Sequence, residues 1–202
     1  MLFRSVAGFF HKDIDNPIYK TGNIVTGATY AGVTYASANV TKPINVDSEE
    51  LTGVEFNLQT QFTFLPGILS GFGVSANYTH VWGHARGLPG RAGNLPLGFQ
   101  SDDIGNVQLF FEKYGLAARL AFNYRSAYLD TLASAAANDQ YTDANGQLDL
   151  HVSYQIVPEF TVFGDAVNMT NAPWRRYVGS KSFLVEREQY GALLRGGVQL
   201  HF

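Results

Sequence analysis

Apolar and polar residues alternate along several segments of the chain, and the alternation is clearest in the last one. In segment 190–202 the even positions are apolar or small, whereas the odd positions include Arg195, Gln199 and His201. A period of two residues is typical of a β-strand with one apolar and one polar face. The segment closes on an aromatic residue, Phe202, whereas the last residues of a soluble domain are generally polar and loosely held. This ending is typical of the last strand of a bacterial outer-membrane β-barrel.

The same alternation recurs in segments 54–64, 116–124 and 147–156. The orientation of these strands follows from the cost of burying charge, because an arginine such as Arg119 at the bilayer midplane of a barrel costs about 2–4 kcal/mol. The polar rows are therefore predicted to face the barrel interior. The predicted interior residues are Glu55, Arg119, Asn123, Arg125, Asp149, His151, Arg195 and Gln199. The apolar rows, which should face lipid, include Leu120, Phe122, Leu150, Val152, Leu194 and Val198.

The spacing of these patterns predicts an all-β fold with strands near 2–12, 50–65, 72–82, 104–112, 116–128, 146–156, 160–168 and 189–202. Turn residues mark the short connections at 66–71, 112–115 and 157–159. The long connections are 13–49, 83–103, 129–145 and 169–188. Short and long connections alternate, as they do between the two ends of an outer-membrane barrel. We therefore predict an antiparallel meander of about eight strands without parallel pairs.

Composition supports a barrel and excludes some other classes. The chain has 202 residues, 46% hydrophobic residues and a mean hydropathy of -0.07. Its apolar runs are shorter than the roughly 18 residues of a membrane helix, so it can cross a membrane only as a barrel. The net charge of -3 argues against a nucleic-acid partner. Since an outer-membrane protein needs an export signal and none opens the sequence, residues 1–202 are expected to be one partial domain of a longer protein.

Candidate chemistry is sparse. His80 and His84 have a spacing that suits one helix face, but they fall where a strand meets a Gly-rich loop, so that spacing does not predict a metal site. There is no cysteine, and the common nucleophile, zinc-protease, phosphate-binding and dinucleotide motifs are absent from the sequence. We therefore expect no enzymatic activity, cofactor or metal. Aromatic residues of the long connections, including Trp174, could stack on a sugar or aryl ligand, or could pack within the loops.

Six short motifs, in this order, resemble the last third of TonB-dependent outer-membrane receptors. They are SVAGFFHKDIDNPI (5–18), ELTGVEF (50–56), FLPG (64–67), ARLAFNYRS (118–126), NMTN (168–171) and VQLHF (198–202). NAPWRRY (171–177) and EQYG (188–191) further resemble a subgroup common in Xanthomonas- and Caulobacter-like bacteria, often tied to carbohydrate uptake.

The resemblance implies a function and a set of partners. It implies a 22-strand barrel around a plug domain, a TonB-binding segment before the plug, and outer-membrane localisation. Neither plug nor TonB segment is recognisable in this sequence, so this chain would be an open, curved piece of the barrel. Its partners would be outer-membrane lipid, the missing plug and remaining strands, the barrel-assembly machinery and, through the missing N-terminal region, TonB.

The expected function is part of a receptor for TonB-dependent uptake of a siderophore, vitamin, haem or carbohydrate. The alternative is a complete eight-stranded barrel with a structural or adhesion role, because eight strands of this length can close. The resemblance also implies an assembly signal at the C-terminus, carried by Tyr190, Val198, Leu200 and Phe202.

Overall fold

The computed structural model describes residues 3–202, which form strands and turns. The first strands are β1 (Phe3–Asp15), β2 (Ile18–Tyr30), β3 (Val33–Asn45), β4 (Ser48–Gln61), β5 (Phe72–Arg86), β6 (Asp103–Lys113) and β7 (Leu116–Arg125). The remaining strands are β8 (Tyr128–Ala133), β9 (Gln140–Thr142), β10 (Asn145–Val157), β11 (Phe160–Val167), β12 (Trp174–Val178), β13 (Ser180–Glu188) and β14 (Leu193–Leu200). Among these residues, helical structure is limited to two 3-10 segments, Gly67–Gly71 and Ala136–Asn138. In this part of the chain no helix has both the length and the apolar character needed to cross a membrane.

Eight strands form one sheet, which we call the wall sheet. Its order is β1-β4-β5-β6-β7-β10-β11-β14, and all neighbours pair antiparallel. These are the eight strands predicted from alternation, which confirms the fold class. Several are longer than predicted at the end beside the long connections, since β1 continues to Asp15 and β5 to Arg86.

Register places the two rows of each strand on opposite faces of the wall sheet. Leu120 of β7 lies opposite Leu109 of β6 and Leu150 of β10, so apolar residues adjoin across three strands. Side chains alternate along a strand, so Arg119 and Ala121 lie on the other face. We call the two sides the apolar face and the polar face. Much of the apolar face is exposed among the described residues, and Leu194 on it is 75% exposed.

The wall sheet is curled and open. Within residues 3–202 no ladder of hydrogen bonds joins β1 to β14, which are the two outer strands of the sheet order. The expectation of an open sheet is therefore confirmed. A closed eight-stranded barrel, the alternative considered from the sequence, is not what these strands form.

The long connections contain a second sheet that the sequence analysis did not predict. This outer sheet has six strands in the order β13-β12-β9-β8-β2-β3. It combines strands from three different connections, and β2 and β8 join through a parallel pairing at Thr21 with Leu132 and Gly22 with Ala133. The prediction that parallel pairs are absent is therefore correct for the wall sheet and wrong for the outer sheet.

A buried core holds the outer sheet to the wall sheet. Tyr19, Leu129 and Leu132 from the outer sheet pack with Ala85 at the end of β5 and with Leu95 from the connection after it. Further along that connection, Leu97 packs on Leu51 and Val81, which belong to the polar rows of β4 and β5. Apolar burial of this kind is worth about 1.5–3 kcal/mol for each large side chain. The outer sheet is therefore fixed over one end of the polar face.

Candidate functional site: the polar face and the outer sheet

The polar face of the wall sheet carries a row of paired charges. Asp165 accepts hydrogen bonds from Nε of Arg195 and pairs with Nδ1 of His151, both at 2.7 Å. Asn123 donates to Asp149 at 3.3 Å. Nη2 of Arg119 lies 2.8 Å from Oε1 of Glu112. Five of the eight predicted interior residues thus take part in polar contacts on one face.

The other three predicted interior residues, Glu55, Gln199 and Arg125, lie on the same face but make different contacts. Glu55 and Gln199 occupy the same polar rows, where Gln199 is opposite Thr161 of β11. The guanidinium of Arg125 stacks on the ring of Tyr128 at 4.9 Å. Its Nη1 atom is buried and has no hydrogen-bond partner among residues 3–202. The register therefore gathers all eight residues on one face, while only some of them form direct contacts.

A hollow of about 550 Å³ opens on the polar face towards the end with the short turns. Its lining includes Arg4, Gln59, Gln108 and Arg119, which come from four different strands. Side chains of this kind can hydrogen-bond to a polar solute or to polar side chains of a packed domain. Within residues 3–202 no group of three or more His, Asp and Glu side chains is arranged to hold a metal ion.

The C-terminal segment departs from its predicted strand. Val198 and Leu200 lie in β14 on the apolar face, 60% and 55% exposed. Tyr190 precedes the strand, because Gly191 adopts a φ of +78° that is incompatible with continued extension. Phe202 follows the last residue of the strand and is fully exposed. Two of the four residues of the expected assembly signal therefore lie within β14.

Arg176 organises one face of the outer sheet. Its Nη2 donates to Asp130 at 2.6 Å and to Gln140 at 3.0 Å. Its Nη1 donates to Glu186 at 3.1 Å. The guanidinium also lies 5.8 Å from the ring centroid of Trp174. The sequence analysis missed this cluster, although the run NAPWRRY could have pointed to it by its density of aromatic and basic residues.

A buried ion pair ties the connection after β5 to the outer sheet. Nη1 of Arg91 lies 2.7 and 2.8 Å from the two carboxylate oxygens of Asp139. Asp139 also accepts the backbone N–H of Ala133 at 2.9 Å. The side chain of Asp139 is 1% exposed and that of Arg91 12%. A buried carboxylate needs such partners, since an unpaired buried charge is strongly destabilising.

A second carboxylate, Asp143, lies between β9 and β10 and links β12 with β13 of the outer sheet. It is paired with Lys181 at 2.8 Å and with Nε of Arg175 at 3.0 Å. Burial raises the pKa of Asp143, but the hydrogen bonds from Lys181 and Arg175 outweigh burial and hold that pKa below its usual value. The same hydrogen bond raises the pKa of Lys181. The ionised pair is therefore the state that the fold favours.

The family model described as "TonB dependent receptor-like, beta-barrel" matches residues 3–169. The chain belongs to the TonB-dependent receptor β-barrel family. The resemblance noted in the sequence is thereby confirmed at the level of the family. The match extends from β1 to beyond β11 and so includes seven of the eight strands of the wall sheet. A comparison with curated proteins gave no match.

Among solved structures, this receptor-family chain is similar to the siderophore receptor PiuA from Acinetobacter baumannii. The TM-score is 0.60 at 12% sequence identity, and the match covers 98% of this chain. It covers 26% of the PiuA chain, so the present chain spans about a quarter of that protein. At this identity the likeness establishes a shared barrel architecture.

Proposed function

We propose that this chain forms part of the barrel wall of an outer-membrane receptor for TonB-dependent uptake of a scarce nutrient. The observation that carries the proposal is the division of the wall sheet into an exposed apolar face and an ion-paired polar face. Such a division suits a sheet between lipid and a wet interior. The family match supports the transport role.

In this proposal the apolar face contacts outer-membrane lipid. Phe72 and Trp82 lie on that face of β5, ten residues apart. With a rise of about 3.3 Å per residue and a tilt of about 40°, their separation along the membrane normal is about 25 Å, close to the height of a barrel's apolar band. The two aromatic rings would then lie at the two interfaces.

The polar face would line the interior and contact a plug domain or solute. Arg4, Arg119 and Gln108 point into the hollow there and could receive polar side chains of a plug. The open edges at β1 and β14 would pair with remaining strands of the barrel. TonB would act through a plug-side segment, and the barrel-assembly machinery would receive the β14 end.

The orientation of the faces can be tested by labelling, because the chain contains no cysteine. Leu120→Cys and Ala121→Cys place single thiols on adjacent residues of opposite faces. In isolated outer membranes we expect a water-soluble maleimide to label position 121 and a lipid-soluble one to label position 120. Exchange of these two patterns would refute the lipid-facing assignment.

Transport is tested with the protein produced in its bacterial host. Labelled ferric siderophore, vitamin B12, haem and neutral oligosaccharides are offered in turn to cells with and without the gene. We expect one class to be taken up only by cells with the gene, and uptake to stop when a protonophore removes the proton gradient. Gene-dependent uptake that survives the protonophore would contradict an energised receptor.

A further inference from the structure

The strands of the outer sheet follow the same order as the strands of the wall sheet. In the chain, β2 and β3 lie between β1 and β4, β8 and β9 lie between β7 and β10, and β12 and β13 lie between β11 and β14. These three pairs succeed one another in the outer sheet as the flanking strands do in the wall sheet. The connection between β5 and β6 meets β8 at an isolated bridge between Gly98 and Leu129. The edge strand β3 is therefore on the side where β1 ends the wall sheet.

The outer sheet ends on two edge strands, β3 and β13. Within residues 3–202 each of them pairs with one neighbour, so each leaves a row of backbone N–H and C=O groups without a strand partner. Four of the nine residues of β13 are charged, namely Lys181, Glu186, Arg187 and Glu188. Charged side chains protect an exposed edge from pairing with another strand. The β13 edge therefore has the character of an edge that stays in water.

The β2–β3 hairpin lacks this protection. Residues 21–41 contain no Asp, Glu, Lys, Arg or His, although the chain as a whole is 15% charged. Lys42 and Pro43 do lie on β3, but at the end next to the core, beside Ile44. An edge strand that remains in water usually carries charge or proline where it is exposed. The uncharged part of β3 is therefore suited to an edge that another strand covers.

The outer part of this hairpin has little support from the rest of the outer sheet. The pairing of β2 with β8 ends at Gly22, and residues 23–41 continue beyond it as a two-stranded ribbon. Val25 and Val40 share one face of this ribbon and are each 41% exposed, whereas Ile24 on the opposite face is 78% exposed. A two-stranded hairpin is at best marginally stable in water, and a third strand is needed for independent stability. The ribbon would therefore gain stability from a further strand at its edge.

The wall sheet indicates where such a strand would come from. In the proposed receptor a further wall strand pairs with the open edge of β1. Long and short connections alternate, and the connection from β1 to β4 is long, so this further strand would join β1 through a short turn. Its other end would then carry a long connection at the same end of the barrel as β2 and β3. By the shared order of the two sheets, that connection comes next to β3.

We propose that the open edge of β3 binds an extended, uncharged segment of this neighbouring connection of the same receptor, which adds a strand to the outer sheet. The inference rests on the proposed function, because it requires the barrel to continue beyond β1. Backbone hydrogen bonds would supply the binding, and Val33, Tyr35 and Val40 would pack on side chains of the added strand. A second copy of the chain and a different protein are the alternative occupants, and the experiment distinguishes them.

The first test is hydrogen exchange, measured by mass spectrometry on outer membranes that contain the protein as its host produces it. Along an antiparallel edge, alternate backbone N–H groups point away from the sheet. Peptides from 33–41 and 180–188 therefore report on the outer edges of β3 and β13. We expect the outward amides of β3 to exchange at least about ten-fold more slowly than those of β13. Exchange at β3 as fast as at β13 would overturn the proposal.

The second test identifies the occupant by photo-crosslinking in intact cells. A benzoylphenylalanine takes the place of Tyr35, which is 44% exposed on β3, and mass spectrometry identifies the captured peptide. The matched control carries the same group in place of Phe183, which is 68% exposed on β13. Heat-modifiable migration confirms that both variants are folded. We expect position 35, but not position 183, to capture a segment of the same polypeptide outside residues 1–202.

The other outcomes overturn the inference. They are capture of a second copy through its own residues 33–41, capture of a different protein, equal capture from both positions, and no capture at position 35. A fast-exchanging β3 edge in a protein that performs energised uptake overturns the inference and leaves the proposed function intact. Capture of the expected segment in a protein without energised uptake supports the inference and contradicts the transport role.

Discussion

Replacing Leu120 by arginine would test the lipid-facing assignment through stability. Leu120 is near the middle of β7, which spans Leu116–Arg125, and lies between Leu109 and Leu150 on the apolar face. Four or five residues separate it from either end of the strand, which places it about 10 Å from each interface at a tilt of about 40°. Leu120→Arg therefore puts a guanidinium close to the bilayer midplane, where it costs about 2–4 kcal/mol.

The matched control is Ala121→Arg. Ala121 occupies the polar face between Gln108 and Asp149, so the new guanidinium gains a carboxylate neighbour. Its cost should stay within about 1 kcal/mol, the range of a solvated ion pair. The two variants add the same side chain at adjacent positions, and only the face differs.

The assay is the folded fraction in the outer membrane, measured by heat-modifiable migration, together with guanidinium unfolding in phospholipid vesicles. A cost of 2–4 kcal/mol reduces the folding equilibrium by roughly 30-fold to several-hundred-fold, since each 1.4 kcal/mol is ten-fold. We expect a large loss for Leu120→Arg and a small one for Ala121→Arg. Equal stability of the two variants, or greater loss in the second, would refute the assignment of the faces.

Three further predictions concern the outer sheet and the C-terminus. Asp139→Asn removes the buried partner of Arg91 and should cost about 3–5 kcal/mol locally, measured as faster cleavage of the loops by an added protease; wild-type resistance would contradict a structural role for the pair. Asp143 has a lowered folded-state pKa, so its ionised pairing stabilises the loops above the ordinary carboxyl pKa and is lost as pH falls through the folded value; loop protease sensitivity should therefore rise below about pH 4, and Lys181→Met should raise the sensitivity at neutral pH and make it depend less on pH. If the assembly machinery recognises this aromatic, Phe202→Asp should lower the amount of heat-modifiable receptor in the outer membrane. An unchanged amount would show that the machinery does not recognise Phe202.

The wall sheet could be predicted because apolar and polar residues alternate within each strand by itself. The alternation along β7 assigns Leu120 and Arg119 to opposite faces without knowledge of any partner strand. The turn at Tyr114 and Gly115 marks where a strand ends. The register of Leu120 opposite Leu109 then follows from the short turn between β6 and β7, whereas its register opposite Leu150 is set across the long connection between β7 and β10.

The outer sheet was missed because its strands depend on contacts between distant connections. β9 has three residues, Gln140–Thr142, too few for a period to be read. The β2–β3 hairpin did carry a local signal, since Ala31 and Gly32 both have positive φ, as a two-residue hairpin turn requires. Ala-Gly is a weaker turn signal than Asn-Gly or Asp-Gly, and the sequence analysis treated residues 13–49 as one connection.

The parallel pairing of β2 with β8 has a consequence for the order in which the molecule is made. Thr21 and Leu132 are about 110 residues apart in sequence, and β4, β5, β6 and β7 lie between them in the chain. Contacts at such separation form late, because the loop between them must be closed first. We therefore expect the outer sheet to be completed only after those wall strands have formed. In the proposed receptor its formation would mark the end of folding, so an antibody against the assembled sheet would distinguish finished molecules from those still being inserted.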